Sequence, residues 1–160
     1  MGENGSIVRL GFMASGRGSN VDAILNACEN GSLPATGVLV ISNHEDAGVH
    51  LVARRHGIPS FHIARDRFES GNEFASALVT RFIEHGVDLV LLAGYMRKVP
   101  RGLLRAYPSA VLNIHPALLP RHGGKGMYGM RVHEAVIAEG DRETGVTIHF
   151  VDEEYDRGPI

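Results

Sequence analysis

Residues 7–20 read Ile7-Val8-Arg9-Leu10-Gly11-Phe12-Met13-Ala14-Ser15-Gly16-Arg17-Gly18-Ser19-Asn20. The stretch opens with an apolar run over residues 7–13 and then turns through Ser-Gly-Arg-Gly-Ser-Asn. Beyond the turn, Val21, Ile24, Leu25 and Cys28 fall at i, i+3, i+4 and i+7, which is one buried face of a helix. Gly31 marks the end of that helix. A strand that passes through a glycine-bearing turn into a helix is the repeating unit of α/β folds.

The same alternation runs through the rest of the chain. Residues 38–41, 60–63, 89–93 and 111–115 read as strands. Residues 89–93 are almost wholly apolar, as a central parallel strand covered on both faces should be. Helices are expected over 48–56, stopped by Gly57, and over 74–85, with Phe74, Ala77, Leu78 and Phe82 on one face and Gly86 at the end. Pro100 opens a short helix through residue 106. Residues 131–139 carry a helical stripe of Val132, Ala135 and Val136. Residues 144–151 alternate Val146, Ile148 and Phe150 against Thr147, His149 and Val151, a strand with one less apolar face. The expected architecture is α/β, with a mostly parallel central sheet and helices on both faces.

Composition narrows the function. The chain has 160 residues, 44% of them hydrophobic, enough for one core and too few for two ordinary domains. A net charge of −2 and a pI near 6.5 give nucleic acid no electrostatic support as a partner. The single cysteine, Cys28, has no internal partner, which favours a reducing, cytoplasmic setting. Residues 1–6 are polar and lack the basic-then-apolar order of a signal peptide. No apolar stretch approaches the ~18 residues of a membrane span. Gly158-Pro159-Ile160 reads as the approach to a further strand, so a C-terminal piece is expected beyond it.

Three segments carry candidate chemistry. The turn over residues 15–20 presents a helix N-terminus, whose free N–H groups and positive dipole end suit an anion. Glycines let the backbone come close to a ligand, and Ser19 can cap the helix or donate its hydroxyl. The third glycine of a dinucleotide fingerprint would fall at Val21, and no Gly-Lys-Ser/Thr follows as in a Walker loop. A monophosphate therefore fits better than a pyrophosphate, and a simple tight turn fits equally well.

Asn113 and His115 lie two apart on a strand that ends at Pro116, so both side chains share a face near its C-terminal tip. Ligands of open α/β sheets gather at that edge. An amide beside an imidazole suits acyl chemistry, the one stabilising an oxyanion and the other moving protons. A capping Asn and a hydrogen-bonded structural His satisfy the same spacing. The third segment is the acidic stretch Asp152-Glu153-Glu154-Tyr155-Asp156. It reads as a solvated loop, except that Asp156 precedes Arg157-Gly158-Pro159, where Gly and Pro fix a specific turn. None of the nine histidines has a His-x-x-x-His partner, so a metal site has little support.

Four motifs in order carry a resemblance: Ser15-Gly16-Arg17-Gly18-Ser19-Asn20, Ala93-Gly94-Tyr95-Met96-Arg97, Asn113-Ile114-His115-Pro116-Ala117-Leu118-Leu119-Pro120, and Gly145-Val146-Thr147-Ile148-His149-Phe150-Val151 through Asp156-Arg157-Gly158-Pro159. Together they resemble the phosphoribosylglycinamide formyltransferase family of folate-dependent enzymes, from about residue 7 onward. The resemblance implies a Rossmann-like formyltransferase fold in one domain, 10-formyltetrahydrofolate as formyl donor and glycinamide ribonucleotide as acceptor in purine synthesis. It implies that Gly18, Ser19 and Asn20 hold the acceptor's phosphate and that Gly94 also touches this substrate. By the same similarity Met96, Arg97, Lys98 and Val99 line the folate pocket, with Asn113 reaching the folate as well. Asn113, His115 and Asp156 match the family's catalytic trio. No metal is implied, and the protein is expected to be a cytoplasmic monomer or homodimer acting on small molecules, without nucleic acid or membrane.

Two departures stand out. Family members often carry a basic residue after the stretch that here reads Phe68-Glu69-Ser70, where this chain has Gly71, which leaves one folate contact, to the acidic tail, open. Members also continue for a strand and a helix past the position of Ile160. The loop over residues 123–129, with four glycines, is either a cover over the site or a plain surface loop. Formyltetrahydrofolate hydrolase shares the trio but usually carries an N-terminal regulatory domain. Methionyl-tRNA formyltransferase would add a basic C-terminal domain. A folate- or nucleotide-binding module without turnover is the reading from outside enzymology. A dinucleotide-dependent oxidoreductase is weaker still, for lack of the third glycine.

Overall fold

The computed structural model describes residues 5–160; the first four residues of the polar start lie outside them. The elements run β1 (Val8–Ala14), α1 (Ser19–Glu29), β2 (Ala35–Ser42), α2 (Val49–Arg55), β3 (Ser60–His62), a 3-10 turn (Arg65–Arg67), α3 (Gly71–Glu84), β4 (Leu89–Leu92), α4 (Arg101–Ala106), β5 (Val111–His115), α5 (Met130–Ala138) and β6 (Thr147–Phe150). The strands form one sheet in the order β3-β2-β1-β4-β5-β6. All pairs are parallel except β5 with β6.

Strand β1 shows why the apolar runs lack a polar face. Leu10, Phe12 and Ala14 pack with Val21, Leu25, Val49 and Val52 of α1 and α2. Met13, pointing the other way, joins Phe74, Leu78, Phe82 and Leu103 of α3 and α4. Alternate residues thus enter two cores, one on each face of the sheet. The chain steps outward from β1 to β2 and β3, then crosses back to β4 and β5 on the other side. The order reverses between β1 and β4, the crevice where open α/β sheets bind ligands.

Element boundaries differ from expectation in ways with local causes. Helix α3 starts at Gly71 rather than 74, because Ser70 caps it: Ser70 Oγ accepts from the Glu73 backbone N–H at 3.1 Å, and the Glu73 carboxylate accepts from Glu69 N–H at 3.2 Å. The larger difference is β6, which covers only Thr147–Phe150 and turns its polar side inward. Thr147 and His149 are 7% and 2% exposed, whereas Val146, Ile148 and Phe150 are 60%, 48% and 39% exposed. The polar pair is buried because it has partners there. Thr147 Oγ1 donates to the Ala117 carbonyl at 2.6 Å and accepts from Leu119 N–H at 3.0 Å.

After β6 the chain doubles back against it. Phe150 N–H donates to the Pro159 carbonyl at 2.8 Å. Gly158 sits so close to the Phe150 carbonyl that any side chain there would overlap backbone. Among the described residues, no helix is long and apolar enough to cross a membrane.

Candidate active site at the sheet edge

Four segments converge at the C-terminal ends of β1, β4 and β5. The first is the turn before α1. Gly18 is the helix N-cap with φ 81°. A Cβ there would lie 2.7–2.9 Å from Val49, its Cα included, so the turn requires glycine on two grounds. Ser19 was expected as a possible cap; it is instead the first helical residue, and no side chain caps α1. The cap position went to Gly18 because the left-handed backbone closes the turn without a side chain. The first N–H groups of α1 have no partner within the helix, and Ser19 and Asn20 of that first turn line the site.

The second segment follows β4. Ser15 N–H donates to the Gly94 carbonyl at 3.0 Å, and Met96 N–H donates to Ser15 Oγ at 2.9 Å. Ser15 Oγ in turn donates to Asn43 Oδ1 at 2.6 Å. Ser15 and Asn43 are both buried, so this chain of bonds pins residues 94–96 to the ends of β1 and β2. Beside it, burial pushes the Tyr95 hydroxyl up to about 12, which keeps it neutral.

The third segment is β5 and the fourth is the turn at Asp156. Asn113 pairs across the ladder with His149, and His115 with Thr147. Asp156 has φ 54°, and that left-handed turn brings its carboxylate to both. Asp156 Oδ1 lies 3.4 Å from Asn113 Nδ2, 3.6 Å from His115 Nδ1 and 3.5 Å from His149 Nε2. Asp156 Oδ2 accepts from Gly124 N–H at 2.9 Å. The side chains of His115 and His149 are buried.

Hydrogen bonding decides the proton positions. His115 Nε2 lies 2.8 Å from the His122 carbonyl, an acceptor, so Nε2 carries a proton. Its Nδ1 faces Asp156. His149 Nδ1 lies 2.9 Å from the Phe150 carbonyl and donates to it. In a neutral ring His149 Nε2 is then the acceptor for Asn113 Nδ2 at 3.1 Å. The Asn113 amide is thereby oriented with its NH2 group toward His149 and Asp156.

A cavity of about 480 Å³ opens over these groups, within the usual range for small-molecule sites. Ser19, Asn20, Gly94, Met96, Arg97, Lys98, Val99, Asn113, His115 and Asp156 all line it. Gly18 is set apart, buried against α2, where it shapes the turn. An adjoining cleft carries Arg65, Arg97, Lys98, Arg101, Lys125 and Arg131 against one acid, Asp66, a composition suited to an anionic chain. Arg65 Nε lies 3.9 Å from where a Cβ on Gly71 would stand, so a cation is present beside the position lacking a basic residue.

Sequence reasoning did not single out His149, Ser15, Asn43 or His122. The signal for His149 was its phase with Thr147 on a strand whose polar side turns inward. Among the described residues, His122, Glu139 and Asp141 are a group with donor atoms close enough for a metal ion. The Arg121 guanidinium already contacts both carboxylates, so a cation is in place there.

Residues 8–160 match the family model described as Formyl transferase, and the chain belongs to that family. The chloroplastic phosphoribosylglycinamide formyltransferase of Arabidopsis thaliana is 46% identical over 153 residues, 95% of this chain and 52% of the relative. The phosphoribosylglycinamide formyltransferase of Haemophilus influenzae is 36% identical over 152 residues, covering 95% of this chain and 69% of the relative. The crystal structure of glycinamide ribonucleotide transformylase 1 from Symbiobacterium toebii superposes with a TM-score of 0.90 at 39% identity, over 99% of this chain and 74% of that one. The architecture is thus the formyltransferase fold. The chain spans about half the length of the Arabidopsis relative.

Proposed function

We propose that this protein transfers the formyl group of 10-formyltetrahydrofolate to the amine of glycinamide ribonucleotide. The observation that carries the proposal is the convergence of Asn113 Nδ2 and His115 Nδ1 on one carboxylate oxygen, at 3.4 and 3.6 Å, in the wall of the cavity. Neither contact is a short hydrogen bond. Asn113 Nδ2, and His115 Nδ1 once the ring carries its second proton, are therefore free to turn to an oxyanion that develops between them when the amine attacks the formyl carbon. Asp156 supports positive charge on His115 and orders the water that moves the amine's proton toward the folate nitrogen.

The substrates are assigned to opposite ends of the cavity. The uncapped N-terminus of α1, with Ser19 and Asn20, suits the acceptor's phosphate. Residues 96–99, held by the Ser15–Asn43 pair, suit the folate, and the basic cleft beyond suits its acidic tail. The relatives' names support glycinamide ribonucleotide as the acceptor of a formyl group. Cys28 is a free thiol, which suits a reducing compartment such as the cytoplasm.

The test mixes purified protein with both substrates and follows folate deformylation with and without the acceptor. Turnover that requires the acceptor is the expected result. Turnover without acceptor replaces the transferase with the hydrolase, and binding of both ligands without turnover replaces it with a binding module.

A further inference from the structure

We propose that His122 is a positioning residue for His115, with its side chain clamped so that its backbone carbonyl fixes the proton and the plane of the His115 ring. This rests on the reading of His115 as a catalytic group. The carbonyl of His122 receives His115 Nε2–H at 2.8 Å, the short hydrogen bond made by that ring. It reaches that place through a left-handed backbone, φ 54°, which few non-glycine residues adopt without some restraint.

The restraint comes from the other end of the residue. His122 Nε2 lies 2.7 Å from Asp141 Oδ2, and the His122 ring is buried. Asp141 is itself held by Arg121, which also reaches Glu139 at 3.1 Å. The hydrogen bond from His122, and then the Arg121 guanidinium, keep the Asp141 carboxyl below the usual carboxylate range. The His122 ring, its backbone and the His115 ring thus form one line from an ion-paired surface cluster to the site. With Nε2 protonated by this contact, the nitrogen presented to Asp156 is always Nδ1. Without the carbonyl, the ring is free to exchange tautomers or to rotate, and fewer molecules present an open Nδ1 opposite Asp156, ready to take the second proton.

His122→Gly tests this directly. Glycine accepts φ 54° without strain but has no ring to clamp, so the fold is retained while the carbonyl is released. Asp141→Ala releases the same clamp from its far end. His122→Gln keeps an amide N–H at about the reach of Nε2 toward Asp141, and serves as the rescue. Two readouts are taken: the tautomer of His115 by nitrogen NMR of histidine-labelled protein, and kcat and KM for acceptor-dependent turnover.

The wild-type protein should show Nε2–H on His115. His122→Gly and Asp141→Ala should show a mixture of tautomers and a kcat lowered roughly tenfold with both KM values within about twofold, and His122→Gln should recover most of the kcat. An unchanged His115 tautomer in folded His122→Gly overturns the proposal whatever the rates. A changed tautomer with unchanged kcat upholds the positioning and overturns the catalytic reading of His115 instead.

Discussion

His149 Nε2 stands 3.1 Å from Asn113 Nδ2, and this contact decides which way the Asn113 amide points. The ring can serve as acceptor because its other nitrogen is committed to the Phe150 carbonyl. One of the two Asn113 N–H groups is thereby fixed, and the second faces Asp156 Oδ1 across the longer contact of 3.4 Å. Replacing His149 by Phe keeps a ring in the buried position but removes the acceptor. The expected result is a kcat lowered roughly tenfold to a hundredfold, less than loss of the amide itself, with little change in KM. A kcat within about twofold of wild type would show that Asn113 needs no such support.

Removing the proposed oxyanion donor is the stronger test of the site. Asn113→Ala should lower kcat by roughly two to three orders of magnitude, and His115→Ala by roughly two to four. Both side chains stand at a strand end rather than in either apolar core. Thermal unfolding should therefore shift far less than activity. Near-normal turnover in either variant would remove that residue from the chemistry.

Ser15 makes a prediction of another kind. Its hydroxyl bridges Asn43 Oδ1 at 2.6 Å and Met96 N–H at 2.9 Å in a buried setting. Ser15→Ala leaves an acceptor and a donor without that partner, at a cost of about 1–3 kcal/mol. The freed segment is the one assigned to the folate. KM for the folate should rise severalfold while KM for the acceptor stays near wild type, as steady-state kinetics with each substrate varied would reveal. Equal changes in both would show that residues 94–96 do not discriminate between the two ligands.

Stability should depend on pH through His56, far from the site. Its Nδ1 lies 2.6 Å from Glu29 Oε1 and its Nε2 lies 2.7 Å from Asp22 Oδ1, tying the end of α2 to both ends of α1. The Glu29 contact first, and the Asp22 contact next, raise the imidazole above its ordinary 6.5. A raised folded value means that the stabilisation is fully present below about 6.5 and is lost as pH climbs through the folded value. Asp22 is lowered from 3.8, chiefly by the hydrogen bond from His56, so its share is present above that value and is lost as pH falls. Melting temperatures of wild type and His56→Gln should differ most below about pH 6.5 and converge as the pH climbs past the raised folded value. A constant gap across that range would mean that the ring contributes by packing and not by charge.

The sheet and its helices were legible because the runs over residues 7–13 and 89–93 and the stripe from Val21 to Cys28 follow the periods of strand and helix closely. The cavity's lining was legible from the four ordered motifs, since residues near strand ends in a switch-point fold have few other places to go. Other features were hidden for physical reasons. Alternation along residues 146–150 states that two faces differ but not which is inward, and the inward one is polar because Ala117, Leu119 and Asn113 supply its hydrogen bonds. The Ser70–Glu73 cap is a Ser-x-x-Glu pattern that stands ahead of the apolar stripe by which the helix is recognised. The reach of the His122 carbonyl to His115 depends on a left-handed backbone at a histidine, which no spacing rule announces.

The turn at Asp156 sets an order of events during synthesis. Its partners lie far back in the chain, at Asn113, His115 and Gly124. A growing polypeptide can lay down β1 to β5 before Asp156 has been added, and the amide and imidazole can take their places at the tip of β5. The carboxylate between them arrives only when residues 156–159 have left the ribosome and folded back on β6. Until then the nascent protein holds two of the three groups, so the trio is completed by the turn that follows β6 and not by the sheet itself.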